Sequence, residues 1–454
     1  MRLIAVMTVV LALGGIAGAQ DADPKKQQER IDALEKSVKE LQQKQEAKPK
    51  DGQAPPPEGK PTKVQDRPAL DDKQEGAPRA DGAVVDPKYR GFFPIPNTPV
   101  IMKINAKPHL DVTFDTRNAG DDNRFITAKI PVTDLSADEG VRSNINAKGS
   151  QLRIDVQAPG VAGNPRFYYQ NDFYGSGGGE FPYRIQQFWG QMYNVTFGHT
   201  YSVFEDPDAW PDTVDYEGPN SMIFARRALV RYEAVLNDNL SINLGIEQPE
   251  SLPADLAGTP DGAVSGINHV PDFAANLRYE DDALGHLQFS GIYRYLAANS
   301  TTFSKDETAA WGLSLGAGIN ITKSTSILVL GVVGKGIGSL GNDSGFFNTD
   351  AAFDPSGNLT PLPYYSIMLA VSHTWSDELR STVSYGHVNL DNGDTTLDPG
   401  IYNKTSYVSA NLIWQLRKRL SVGAEVLYGA NEVQGGADGH VVRVQFGLVY
   451  SLFD

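Results

Sequence analysis

The chain has 454 residues, a formal net charge of −15 and no cysteine. The charge argues against a nucleic-acid partner, and the missing thiols exclude disulfides and thiolate-held metals. Hydrophobic residues make up 40 % and mean hydropathy is −0.33: too polar for a bundle of membrane helices, but ordinary for a barrel that shows lipid only every second residue.

Arg2, an apolar run from Leu3 to Ile16 and Ala17-Gly18-Ala19 predict a signal peptide over 1–19 and an exported product. The run is too short to span a bilayer. Over 20–47, Ile31, Leu34, Val38 and Leu41 fall at a and d positions among Lys, Glu and Gln. This predicts a periplasmic coiled-coil helix. Three heptads are few, so a solvated, partly frayed helix is the competing reading. Residues 48–99 carry Pro55-Pro56-Pro57 and seven further prolines from Pro61 to Pro99, a linker composition that cannot bury a core. Phe92 and Phe93 at its end could pack beneath the domain that follows.

From residue 100 the character changes. Sixteen alternating segments follow, from Ile104–Phe114 to Val442–Phe453. In the last, Val442, Val444, Phe446, Leu448, Tyr450 and Leu452 share one parity, against Arg443, Gln445, Gly447 and Ser451. One such strand fits a soluble sandwich as well as a barrel. The connections discriminate. Short ones (Tyr193-Asn194, Thr322-Lys323, Ser376-Asp377, Arg417-Lys418) alternate with longer ones, among them 115–148, 204–220, 248–269 and 335–363. Sorting short turns to one end and long loops to the other predicts an all-β, 16-stranded antiparallel transmembrane β-barrel over 100–454, with outer-membrane lipid and lipopolysaccharide around it. Aromatics near strand ends, including Tyr169, Trp189, Trp311, Trp375, Tyr428 and Tyr450, suit girdles at the two interfaces.

The polar parity predicts the inner wall. It contains Arg153, Arg166, Arg227, Arg231, Arg278, Arg294, Arg380 and Arg443, with Arg184 on a strand that alternates poorly. Asp155, Gln170, Asp172, Glu233, Glu280, Gln288 and Glu425 share that wall. Two readings stand: arginine–carboxylate ladders between strands, or a guanidinium track that passes anions. The third long loop, 205–220, holds Asp206, Asp208, Asp212, Asp215 and Glu217. Folded inward it constricts the bore; left outward it is a solvated surface. Gly312, Gly316 and Gly318 on the inward parity imply either open space or a loop packed against the wall.

Phe197-Gly-His-Thr-Tyr-Ser-Val-Phe204, then Pro211-Asp-Thr-Val-Asp-Tyr-Glu-Gly-Pro-Asn220, then Phe224-Ala-Arg-Arg-Ala-Leu-Val-Arg-Tyr232 resemble the DcaP-type trimeric outer-membrane porins. The resemblance runs through most of 100–454 and is sharpest over 183–250. It implies a homotrimer of 16-stranded barrels with a periplasmic N-terminal coiled coil, taking up small organic anions such as dicarboxylates in the outer membrane of a Gram-negative cell. By analogy with general porins it also favours an inward third loop. The chain departs from the family in Arg226 beside Arg227, and in ending on Asp454 where a terminal Phe is usual.

No metal-ligand spacing links the seven histidines, no G-x-S-x-G appears, and Ser384 with His387 on one strand is a weak hydrolase signal. Asp391-Asn-Gly-Asp394 lacks the spacing of a calcium loop. The expectation is no enzyme, no metal and no cofactor. Two functions remain. One is a diffusion porin for small hydrophilic, preferentially anionic solutes. The other is a structural or adhesive barrel tethered to peptidoglycan by its N-terminal arm.

Overall fold

The computed structural model describes Tyr89 and residues 91–452, except 133–138, 261, 394 and 396. The expected signal peptide, the expected coiled-coil seam at Ile31, Leu34, Val38 and Leu41, and most of the expected linker lie outside the described residues, as do Asp394 and Asp454.

The first half of the chain forms β1 (Phe93–Pro94), β2 (Ile101–Lys107), β3 (His109–Arg117), β4 (Glu139–Asn146), β5 (Gln151–Gln157), β6 (Arg166–Asp172), β7 (Arg184–Met192), β8 (Val195–Tyr201), β9 (Arg226–Asn237), β10 (Leu240–Glu247) and β11 (Val264–Ile267). The second half forms β12 (Asp272–Asp281), β13 (Gly285–Ser300), β14 (Asp306–Asn320), β15 (Thr325–Lys335), β16 (Ala351–Phe353), β17 (Leu359–Pro361), β18 (Pro363–Ser376), β19 (Leu379–Leu390), β20 (Tyr402–Arg417), β21 (Leu420–Val433) and β22 (Asp438–Tyr450). Twenty of these make one sheet, and β16 and β17 make a separate ribbon.

The ladder is antiparallel throughout. β5 to β10 pair in chain order. The run continues through β12, β13, β14, β15, β18, β19, β20, β21 and β22. β22 then pairs with β3, Phe446 opposite Val112. β3 pairs with β4 and β2 with β5, so the ladder meets its own beginning and the main edges disappear. Pro108, which has no N–H to give the ladder, separates β2 from β3.

Side chains alternate across this wall as the period of a strand requires. On β22, Arg443 and Gln445 are buried inside, while Leu448 and Tyr450 are about 40 % exposed outside. β9 and β10 likewise expose Val230, Tyr232, Leu244 and Ile246. A continuous apolar band of this kind exceeds anything a water-soluble monomer presents, and it matches hydrocarbon. Trp189 departs from the girdle expectation. It stacks on Tyr168 at 5.4 Å and against Arg166 at 5.3 Å, on the polar parity of its strand.

Several segments expected as loops are strands. β4 lies within 115–148, β11 within 248–269, and β16 and β17 within 335–363. β13, β20 and β21 run several residues beyond the alternating segments, through Ala297-Ala-Asn-Ser300, Tyr402-Asn-Lys-Thr405 and Gly429-Ala-Asn-Glu-Val433. Beyond the lipid band no apolar face is needed, so alternation fades while the backbone ladder continues. The end of the expected linker is also ordered: Phe92 is buried, and β1 turns back onto β2 through Asn97 at φ 62°.

The long-loop end of the bore is not empty. Ile126, Phe204, Met222, Ile337 and Leu340 from three loops pack with Tyr364, Met368 and Val388 from the wall in one hydrophobic core.

Candidate functional site

The acidic loop between β8 and β9 turns inward. Ser202–Asp206 and Gly218–Ile223 are buried, and Pro207–Ala209 form a single 3-10 turn. Two wall carboxylates hold its backbone. Glu247 accepts from the Val203 N–H and the Ser202 hydroxyl, both at 2.7 Å. Glu425 accepts from the Val214 and Asp215 N–H groups at 2.9 and 2.7 Å. Hydrogen bonds to charged groups of this kind are worth about 1.5–3 kcal/mol each.

The loop's own acids meet basic side chains of the wall and, at Arg124, of the loop after β3. Asp206 lies 3.2 Å from Arg278 and 3.0 Å from His286, and Asp208 lies 2.7 Å from Arg278. Asp212 pairs with Arg380 at 2.5 Å and Glu217 with Arg124 at 3.0 Å. Asp215 accepts the backbone N–H groups of Phe125, Glu217 and Gly218. Burial pushes the Asp215 carboxyl up to about 7; nearby Arg443 opposes the rise, and Glu425 and Glu217 add to it. Burial likewise raises Asp343, in the loop after β15, to about 6.

Small wall residues make the inward fold sterically feasible. A Cβ on Gly316 would come 2.2 Å from an Asp206 carboxylate oxygen, and one on Gly312 would come 2.9 Å from the Phe204 ring. Gly423 and Gly447 give the same clearance to Val214. The inward glycines therefore seat the loop and do not mark open space, except that Gly318 faces His286 of the neighbouring strand.

The arginines expected on the inner wall divide into three groups. Arg227, Arg294 and Arg443 are buried and taken up by carboxylates, which corrects their placement on a wet wall. Arg227 pairs with Asp272 and with Glu250. Arg294, fully buried, reaches Asp272 at 3.0 Å and Asp350 at 2.9 Å, and donates to the Gly336 and Glu250 carbonyls. Arg443 grips Asp115 at 2.7 and 2.9 Å. A charge that deep is tolerable only when paired. Arg166, Arg184, Arg278 and Arg380 are partly accessible and each is paired, with Asp155, Asp172, Asp206 and Asp212 respectively. Arg153 and Arg231 form no ion pair among the described residues. Arg153 donates only to Gln151, at 2.6 and 3.1 Å, and Arg231 lies outside the central cavity.

That cavity, about 440 Å³, lies between the inward loop and the short-turn half of the wall. Lys107, Arg153, Arg226 and Arg380 supply its cations, and Asp212 and Asp215 are among its acids. A second cavity of about 370 Å³, toward the long loops, is lined by Arg124, Arg184 and Glu217. Phe224 and Arg226 line both.

Parity reasoning missed Lys107 and Arg226. Arg226 has the parity of lipid-facing Val230 and Tyr232, but it sits where the wall gives way to the inward loop. The double arginine Arg226-Arg227 was the available signal. Ser384 and His387 bond separately, to Ser409 and Ser406.

Residues 93–452 match the family model described as DcaP outer membrane protein. No curated protein sequence matches the chain. Among solved structures, the outer membrane channel DcaP of Acinetobacter baumannii superposes with a TM-score of 0.68 at 18 % identity, covering 79 % of this chain and 99 % of that one. An anion-selective porin from Comamonas acidovorans superposes at 0.50 with 12 % identity, covering 78 % and 100 %. The match over 93–452, joined to a lipid-banded antiparallel ring with an inward loop, identifies the chain as a member of the DcaP outer membrane protein family.

Proposed function

We propose that the chain is an outer-membrane diffusion channel for small hydrophilic solutes with a preference for anions, dicarboxylates among them as the family resemblance implies. One observation carries this reading. Lys107, Arg153 and Arg226 line the cavities without a carboxylate in ion-pair contact among the described residues. A cation left unpaired in a confined wet space raises the local concentration of anions. Of the nine arginines expected to line a track, Arg153, Arg184 and Arg380 border the cavities; Arg227, Arg294 and Arg443 hold the scaffold.

The wall reads as sixteen lanes when β2 is joined to β3 and β4 to β5 across their breaks. An even number returns both ends of the barrel to the short-turn side, which suits a periplasmic N-terminal helix and a contact with peptidoglycan. The lanes are unequal. β6, β7 and β8 have 7, 9 and 7 residues, against 16, 15 and 16 in β13, β14 and β20. Seven residues tilted as in a barrel rise about 18 Å, short of a hydrocarbon core of about 30 Å. Copies of the same chain would cover that low sector, which supports a homotrimer.

The loop-filled mouth favours the second reading, a structural or adhesive barrel. Planar-bilayer recording under a KCl gradient decides. Conductance with a reversal potential on the anion side is expected. Cation preference would overturn the anion reading, and absence of conductance would favour the structural barrel.

A further inference from the structure

The aromatic surroundings of Arg226 go beyond charge. Its guanidinium carbon lies 4.3 Å from the Phe224 ring centroid and 6.0 Å from that of Tyr201, the residue opposite it across the β8–β9 ladder. Trp210 of the inward loop completes the group, at 5.5 Å from Tyr201 and 5.2 Å from Phe224. Its indole N–H has no hydrogen-bond partner among the described residues. Two of these four residues, Phe224 and Arg226, line both cavities. Among the described residues, the only charged side chain common to the two cavities is thus a planar cation seated on an aromatic wall.

We propose that Arg226 is the specificity-determining residue at the junction of the two cavities, and that its aromatic seat makes the junction favour planar aryl carboxylates over saturated carboxylates of equal charge. This rests on the reading of the lumen as an anion path. A guanidinium binds a carboxylate through its edge and an aromatic ring through its face. With one face on Phe224, the other face can stack on the ring of an aryl carboxylate while the guanidinium charge draws the attached carboxylate to its rim. Tyr201 and Trp210 add ring surface on the central-cavity side, where stacking contributes again. A saturated ring of the same size offers the edge contact alone. The other cavity cations differ: Arg124 and Arg184 also lie over rings but are paired with Glu217 and Asp172, Arg380 is occupied by Asp212, Arg153 lies over no ring among the described residues, and Lys107 has no planar group to stack.

The test compares permeability to benzoate and to cyclohexanecarboxylate, from bi-ionic reversal potentials of the purified full-length protein in planar bilayers. Wild type is expected to favour benzoate by about three-fold, the scale of one accessible cation–π contact. Arg226→Lys keeps the charge and removes the plane, so its benzoate ratio should fall to one. Arg226→Gln should lower that ratio and the anion preference in KCl together. Heat-modifiable electrophoretic mobility confirms that each variant is a folded barrel. Should Arg226→Lys fail to fold, Phe224→Leu removes the seat with the cation in place, and its benzoate ratio should likewise fall to one. A wild-type ratio of one in an anion-selective channel overturns this inference and leaves the anion reading standing. A ratio unchanged in Arg226→Lys, or in Phe224→Leu, overturns it too. Cation preference of the wild type in KCl brings down both.

Discussion

Arg226 and Arg227 are covalent neighbours in two different regions of the molecule. Arg227 enters a buried cluster with Asp272, Arg294 and Asp350, which ties β9, β12 and β13 to the loop after β15. Arg226 sits at the junction of two cavities, on Phe224, with no ion pair among the described residues. The contrast separates two uses of one residue type. An arginine that meets a loop carboxylate becomes part of the scaffold, and its charge is cancelled. An arginine that meets only rings keeps its charge available to whatever passes. Counting inward arginines therefore overstates the number of solute contacts.

Arg294→Met would leave Asp272 and Asp350 buried without their shared partner, a loss of about 3–5 kcal/mol. The expected outcome is a marked fall in the folded, heat-modifiable fraction and in the urea midpoint. Near-normal stability would mean that the cluster is no scaffold. Next in size is the loop seat. Gly316→Val forces Asp206 off the wall at about 1–3 kcal/mol, and the displaced loop should raise single-channel conductance.

A smaller effect comes from pH. The Asp215 carboxyl, at about 7 in the folded protein against 3.8 as its ordinary value, keeps a proton that the unfolded chain would release. Stability from this group is therefore full below pH of about 4 and is lost as pH rises through about 7. Conductance should be lower and quieter at pH 5 than at pH 8, and Asp215→Asn should flatten that dependence. Asp212→Asn frees half-exposed Arg380 at a cost of at most about 1 kcal/mol, moving it from the paired to the available group. The KCl reversal potential should shift slightly further toward anions.

Much of the fold was legible because lipid imposes a simple code. The Val442–Tyr450 alternation, the turns at Tyr193-Asn194 and Thr322-Lys323, and the family motif over 197–232 all pointed to the ring. The missed strands, β4 and the outer ends of β20 and β21, lie where that code lapses. The site was less legible. Arg153 was placed by parity and borders the cavity. Arg294 was placed by the same rule and is a buried cross-link. Arg226 was excluded by the rule and is at the junction.

By itself the sequence determined which parity of most strands faces hydrocarbon, because a strand has a period of two and an unmet charge deep in lipid is costly. Only the tertiary structure decided which way the acidic loop turns and which cations stay unpaired. Those outcomes depend on distances across the lumen between groups such as Arg443 and Asp115, 328 residues apart, or Glu425 and Val214, 211 apart. No local pattern encodes a distance that closure of the ring creates.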